Sequence, residues 1–259
     1  MISFRNTIIA ASAIMAFAST AEAAQYRVTI TNNATAGGTY LTPVWVGFHS
    51  GSFDLFDPGS AASGPLESVA EDGNTAPLSA SFSGSGVDAT LGAAPIAPGM
   101  SVTADFSLLD DGSNDYLSFA AMVLPSSDFF IGNGNPMAVS VADLLDGMID
   151  SVVYTVLDVW DAGTEVNDFA TSAGNPLFGF PGGQTGPDQG ADENGVVMLA
   201  SGADYASFLN LGDNNVAPLN FDNFASLATI EISVVPIPAA AWLFASALGL
   251  LGWLRRRTV

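Results

Sequence analysis

With no cysteine among its 259 residues, the chain has no thiolate for zinc, an iron–sulfur cluster or a covalent thiol intermediate. Its 26 acids against five basic residues give a net charge of −21, a balance that repels nucleic acid and anionic membranes and attracts cations. Glu22 and Arg5 lie near the start and Arg255, Arg256 and Arg257 close the chain, so Arg27 alone offsets the acids of the body. The same acidity also serves solubility.

Met1–Ala23 carries Arg5, an apolar run from Ile8 to Ala18 and the A-x-A pattern Ala21-Glu22-Ala23. That is the layout of a secretory signal peptide cut after Ala23. The expected plan is a leader over 1–23, a body over 24–232 and a tail over 233–259. The body opens with Tyr26, Val28 and Ile30 alternating with Arg27, Thr29 and Thr31, which predicts a half-buried strand. Further strands are predicted at Thr42–His49, Val87–Leu91, Met100–Leu109, Leu117–Leu124, Ser151–Trp160, Gly195–Ala200 and Ser226–Val234. Pro65 suits the first turn of a short helix running to about Ala70 and closed by Asp72-Gly73-Asn74. Val141, Leu144, Leu145, Met148 and Ile149 keep helical spacing over Ser140–Ile149, against the weakening effect of Gly147.

Phe169–Asn194, rich in Gly, Pro, Asn and Gln, reads as a long loop of the functional or mobile kind. Many short strands punctuated by Gly, Pro and Asn predict an all-β chain: one antiparallel β-sandwich with short helices and no internal repeat.

The tail differs in kind. Val235-Pro236-Ile237-Pro238 leads into Ala239–Leu254, uncharged throughout, and then into three arginines. As a hydrophobic helix this span would reach about 24 Å, a little short of a bilayer core, with the arginines on the cytoplasmic side. A permanent membrane anchor is one reading. The layout also closely resembles the PEP-CTERM sorting signals of Gram-negative bacteria in their VPLPA form, with Ile237 in place of the usual Leu. That resemblance implies transient anchoring in the inner membrane, processing by an exosortase near the Pro motif and passage to the cell surface.

Chemistry-bearing residues gather after the strand ending at Trp160. The turn Ala162–Gly163 places Asp161, Glu165 and Asp168 close together, and a second acidic turn, Pro125-Ser126-Ser127-Asp128, lies upstream. Carboxylates at such turns hold hard cations such as Ca²⁺; Asp, Gly and Thr also build ordinary turns. Asp57, Glu67, Glu71 and Asp72 are candidates for a second cation site or a glycosidase pair, against a role at a helix end facing water. The acidic stretch Asp188–Asn194 lacks the spacing of an EF-hand loop. The single histidine, His49, precedes Ser50-Gly51-Ser52, but no G-x-S-x-G elbow accompanies it. Phe53, Phe56, Phe129 and Phe130 are candidates for a sugar-binding platform or for the core.

Six segments, in order, carry a second resemblance: Tyr26–Asn32, Leu41–Phe56, Ala70–Leu78, Ala94–Val102, Ser118–Gly132 and Trp160–Asp168. Together they resemble a spondin domain of the bacterial type. The resemblance implies a C2-like antiparallel sandwich with Ca²⁺ bound by loops at one edge, as in adhesive matrix proteins of animals. Its acidic ligand positions fall on Asp128, Asp161 and Glu165. Glu165 stands where Asp is usual and Phe129 where Trp is usual, and no thrombospondin-type repeats are present.

The expected function is that of a non-catalytic, calcium-binding adhesion or matrix protein, exported to the surface of a Gram-negative cell. Its partner would be a protein or glycan of the surface or matrix, not nucleic acid. The alternative is a secreted carbohydrate-active enzyme or a lectin acting on exopolysaccharide, with Phe180, Gln184 and Asp188 lining a groove.

Overall fold

The computed structural model describes residues 24–36, 38–168, 172–173, 177, 183–184, 186–201 and 226–236. The expected leader and the apolar span Ala239–Leu254 lie outside them. Among the described residues no helix is long and apolar enough to cross a membrane.

The alternation that opens the body becomes strand β1 (Ala24–Asn32), with Tyr26, Val28 and Ile30 buried and Arg27 outside. It lies between β5 (Ser101–Leu108) and β11 (Ala228–Val234), and β8 (Ser151–Val156) flanks β11. All pairings in this four-stranded sheet are antiparallel. Arg27 stands opposite Asp105 and donates two hydrogen bonds to its carboxylate, at 2.8 and 2.9 Å. Both side chains are about half exposed, so solvent screens the pair and it contributes little. The strand expected over Ser151–Trp160 divides: residues 157–159 leave the ladder, and Trp160–Asp161 forms a separate β9. β11 reaches Val234, and the Val235 N–H bonds the Gln25 carbonyl at 2.9 Å, so the sheet extends past the expected boundary at 232.

The second sheet runs in the order β10 (Met198–Leu199), β9, β7 (Phe129–Gly132), β6 (Tyr116–Leu124), β3 (Val44–His49), β4 (Gly86–Leu91). A short β2 (Tyr40–Leu41) pairs with β6. Every residue of β3 and β7 is buried, because both faces of this sheet are covered. Val46, Phe48, Phe119 and Ile131 pack in one core with Val28, Ile30, Ile230 and Ile232 of the first sheet. Trp45, Ala120 and Phe130 join a second core with Leu66 and Val69 of α1 (Gly64–Asp72) and Leu78 and Phe82 of α2 (Ala76–Phe82). The chain is thus an antiparallel β-sandwich with two short helices over one sheet. Each large apolar side chain so buried contributes about 1.5–3 kcal/mol.

The helix at Pro65 forms as the sequence predicts. Ser63 caps its start, accepting from the Leu66 N–H at 3.4 Å, and Gly73 ends it at φ 63° with its N–H on the Val69 carbonyl. A Cβ at Gly73 would also lie 2.5 Å from the Thr42 methyl, so only glycine fits this end. α2 is not foreshadowed by the sequence. Leu78 and Phe82, one turn apart, hold it on the sheet, and Phe82 meets Trp45 edge to face at 5.2 Å. Asp88 on β4 ties this layer, accepting from Trp45 Nε1 at 2.9 Å and from Ser79 Oγ at 2.5 Å. The helix expected over Ser140–Ile149 is a single turn, α3 (Ala142–Leu145), which gives way at Gly147 with φ 71°.

Candidate metal centre

Two loops meet at one edge of the second sheet. In the turn after β6, Ser126 donates to the Val123 carbonyl at 2.6 Å and accepts from the Phe129 N–H at 3.1 Å. This places Asp128, fully buried, at the head of β7. Because β9 pairs with β7, with Asp161 opposite Phe129, Asp161 arrives beside it, and the Ala162 N–H bonds the Asp128 carbonyl at 3.2 Å. Asp161 Oδ1 then accepts from the Gly163 N–H at 2.8 Å, an Asx turn in which Gly163 takes φ 66°. Asn167 donates to Asp161 Oδ2 at 2.8 Å.

Asp128 is anchored through one oxygen only. Its Oδ2 accepts from the Thr164 N–H at 2.8 Å, the Glu165 N–H at 3.1 Å and the Thr164 hydroxyl at 3.3 Å. Its Oδ1 is buried with no hydrogen-bond partner. The third carboxylate here is Glu193: one oxygen each from Asp128, Asp161 and Glu193 lie within 4.8 Å of one another. Glu193 comes from the end of the long loop, which runs antiparallel to the Asp161 turn. The Val166 N–H bonds the Ala191 carbonyl at 2.8 Å, Glu193 N–H the Thr164 carbonyl at 2.9 Å, and Gly195 N–H the Gly163 carbonyl at 2.6 Å.

Of the three residues expected to hold the ion, Asp128 and Asp161 are brought together. Glu165 is buried beside them and gives its N–H to Asp128, but its carboxylate lies against Gly190, where a Cβ would collide with it. Glu193 lies in an acidic stretch without EF-hand spacing, so no local pattern marks it; its place beside Asp128 and Asp161 depends on how the segment docks. Asp168 enters through its backbone, its carbonyl accepting from Ser127 Oγ at 3.1 Å.

The electrostatics favour a cation. Burial, reinforced by the neighbouring Asp161 carboxylate, pushes Asp128 up to about 7 despite the donors on its Oδ2. A group so placed must take a proton or a positive ion to remain buried. Asp128, with one oxygen unpartnered and its carboxylate grouped within 4.8 Å of two others, offers oxygens of the hard kind that Ca²⁺ takes. The residues therefore fit the ion.

A second acidic group, Glu67, Glu71 and Asp188, lies nearby; of the expected set it holds Glu67 and Glu71 but neither Asp57 nor Asp72. Glu71 is buried, and burial pushes it up to about 7, partly offset by a hydrogen bond with the Thr164 side chain. Thr164 thus adjoins both groups.

The remaining candidates are built into the core. His49 is fully buried: its Nδ1 accepts from the Gly51 N–H at 2.9 Å, and its Nε2 meets Ser118 Oγ at 3.0 Å. Asn133 also donates to Ser118 at 3.2 Å, so this trio joins β3 and β6 beneath α2 instead of facing a cleft. Phe129 and Phe130 are fully buried, and Phe56 packs edge to face on Trp160 at 5.0 Å, so these rings form no open platform. Phe180 lies outside the described residues.

No curated protein matches the chain. The family model Spondin_N matches residues 12–176, well over half of the chain. That stretch includes Asp128, Asp161 and Glu165 and stops before Glu193. The chain belongs to the Spondin_N family.

Proposed function

We propose that the protein is an exported, non-catalytic surface or matrix protein of the spondin type, whose loops at one sandwich edge are held by Ca²⁺. Asp128, Asp161 and Glu193 are its ligands, and the ion supplies the positive charge that lets these carboxylates stay ionised and close together. The observation that carries the reading is the grouping of the Asp128, Asp161 and Glu193 carboxylates, with Asp128 keeping one buried oxygen unpartnered. A stiffened edge then contacts a protein or glycan of the surface or matrix.

The leader and the tail support export. Met1–Ala23 has a signal-peptide layout, and the Pro motif, short apolar span and terminal arginines resemble a PEP-CTERM signal. On this reading an exosortase frees the chain from the inner membrane of a Gram-negative cell and passes it to the surface.

Calorimetric titration of the purified full chain with Ca²⁺ tests the central claim. One saturable site per chain is expected, silent in Asp128→Asn and Asp161→Asn. A wild-type chain that gives neither binding heat nor a shift in melting temperature with Ca²⁺ overturns it.

A further inference from the structure

β8 closes the four-stranded sheet on one side, and among the described residues it pairs with β11 alone. The Val234 N–H bonds the Asp150 carbonyl at 3.1 Å, and Val152, Tyr154 and Val156 stand opposite Ile232, Ile230 and Ala228. Backbone groups alternate in direction along a strand, so these even-numbered residues spend theirs on β11. Ser151, Val153 and Thr155 turn theirs to the open edge. Such an edge is normally blunted by a charge, a proline, a bulge or a cover. The opposite edge, β5, carries Asp105 in its pair with Arg27. In the second sheet β10 is two residues long, and Val197 before it exchanges hydrogen bonds with Gly59 and Ser60 at 2.8 and 2.9 Å. β8 has none of these devices. Ser151–Leu157 is uncharged, lacks Pro and Gly, and is rich in strand formers. Val153 is 61% exposed and Leu157 51%.

The order of the residues says what fits this edge. Laid antiparallel to a second copy about Val153, the strand sets Val153 against Val153 and Ser151 against Thr155 on the outer face. On the inner face Val152 meets Tyr154, a β-branched residue on an aromatic one. Beyond the strand ends the same register sets Ile149 against Leu157, Asp150 against Val156 and Asp158 against Met148. Hydroxyl meets hydroxyl, apolar meets apolar, and no carboxylate meets another. Moving the axis to Tyr154 would oppose Asp150 and Asp158; moving it to Val152 would oppose Ser151 and Val153. Glu231, beside Val153 on β11, would stand three strand spacings, about 14 Å, from its counterpart. That exceeds the Debye length of about 8 Å at physiological salt.

We propose that β8 is a homodimer interface, at which two copies pair antiparallel about Val153 and join their four-stranded sheets into one. The open N–H and C=O groups of Ser151, Val153 and Thr155 supply the hydrogen bonds. One strand per copy makes a small contact, so association is weak and concentration-dependent. A two-fold contact closes on itself, so the product is a dimer. The proposal goes beyond the calcium reading and does not rest on it.

Sedimentation velocity of the purified full chain should show a monomer–dimer equilibrium. It should tighten as NaCl is raised, because salt screens the repulsion between two bodies of net charge −21 each. Val153→Lys makes each copy less negative yet sets like charges face to face. It should weaken the dimer about tenfold or more, with melting temperature unchanged. Val153→Cys reads the register, since the chain has no other cysteine. The Cα atoms of a hydrogen-bonded antiparallel pair lie about 5.5 Å apart, within disulfide reach. Under mild oxidation Val153→Cys should cross-link as a dimer, and Ser151→Cys, about 14 Å from its counterpart, should not. By hydrogen exchange the Ser151, Val153 and Thr155 amides should be open in dilute protein and protected in concentrated protein. The proposal is overturned if the wild type stays monomeric at every concentration and salt, or if Val153→Lys associates as the wild type does. It is equally overturned if both cysteine variants cross-link alike, or if the three amides are protected in the monomer, which would mean that another segment or a co-purified strand covers the edge.

Discussion

Glu193 reaches Asp161 across the whole of the long loop, and its carboxylate comes within 4.8 Å of those of Asp161 and Asp128. Three segments that are far apart in the chain therefore share one charge problem, which a cation solves. Ca²⁺ at a hundredfold excess over Kd should raise stability by about 2.7 kcal/mol. In thermal melts with and without chelator, Asp128→Asn and Asp161→Asn should abolish most of that rise. Glu193→Gln should reduce it, and the exposed control Asp146→Asn should leave it intact. A full calcium response in all three site variants would remove the assignment.

The pH dependence has a defined sign. Asp128 and Glu71 are each pushed up to about 7 in the folded chain, against about 4 in an unfolded one. Between these values the folded state binds the extra protons, so their contribution is fully present below about pH 4 and is lost as the pH rises through 7. His49, which burial pushes down, works in reverse: its contribution holds above about 6.5 and is lost as the pH falls. Urea denaturation of ion-free wild type and Asp128→Asn from pH 4 to 8 separates these effects. The variant should fall less steeply towards neutral pH, and saturating Ca²⁺ should flatten the wild-type curve in the same window. Parallel curves for both proteins would contradict the shift.

Gly163 carries the turn on which this edge depends. It sits at φ 66°, and a Cβ there would lie 2.6 Å from the Val196 nitrogen. Gly163→Ala should cost about 1–3 kcal/mol through backbone strain and separate the Glu193 segment from the Asp161 turn. Hydrogen exchange at the Glu193 and Gly195 amides should then accelerate; unchanged protection there would show that the turn does not hold the segment.

Asp88 joins the helical layer to the sheet through Trp45 and Ser79. Replacing it with Ala leaves the Trp45 N–H, on a fully buried ring, without its partner. A loss of about 1–3 kcal/mol is expected, with a shift in tryptophan emission and no change in calcium binding per folded molecule. A variant as stable as the wild type would mean that the tie contributes nothing.

The tail should be dispensable and the strand before it should not. A chain ending at Pro236 keeps β11 and its bonds to β1 and β8, so it should melt as the full chain does. A chain ending before Ala228 removes an inner strand of the four-stranded sheet and with it Ile230 and Ile232. It should not fold cooperatively by circular dichroism. A stable shorter chain would contradict the topology.

What the sequence by itself determined was whatever depends on neighbouring residues. The alternation of Tyr26, Val28 and Ile30 marks β1 because its sheet buries one face, and Ser63, Pro65 and Gly73 mark a helix because caps act within a turn. The acidic turns at Asp128 and Asp161 were legible for the same reason. The Phe129–Gly132 strand was not, because a strand buried on both faces loses its alternation. Nor was α2, whose Leu78 and Phe82 are held by a sheet built from distant segments. Only the tertiary structure brought a Glu193 carboxylate oxygen within 4.8 Å of those of Asp128 and Asp161 and laid the Glu165 carboxylate against Gly190. That choice rests on the antiparallel docking of residues 190–197 on the Asp161 turn, a register that no local pattern of residues encodes.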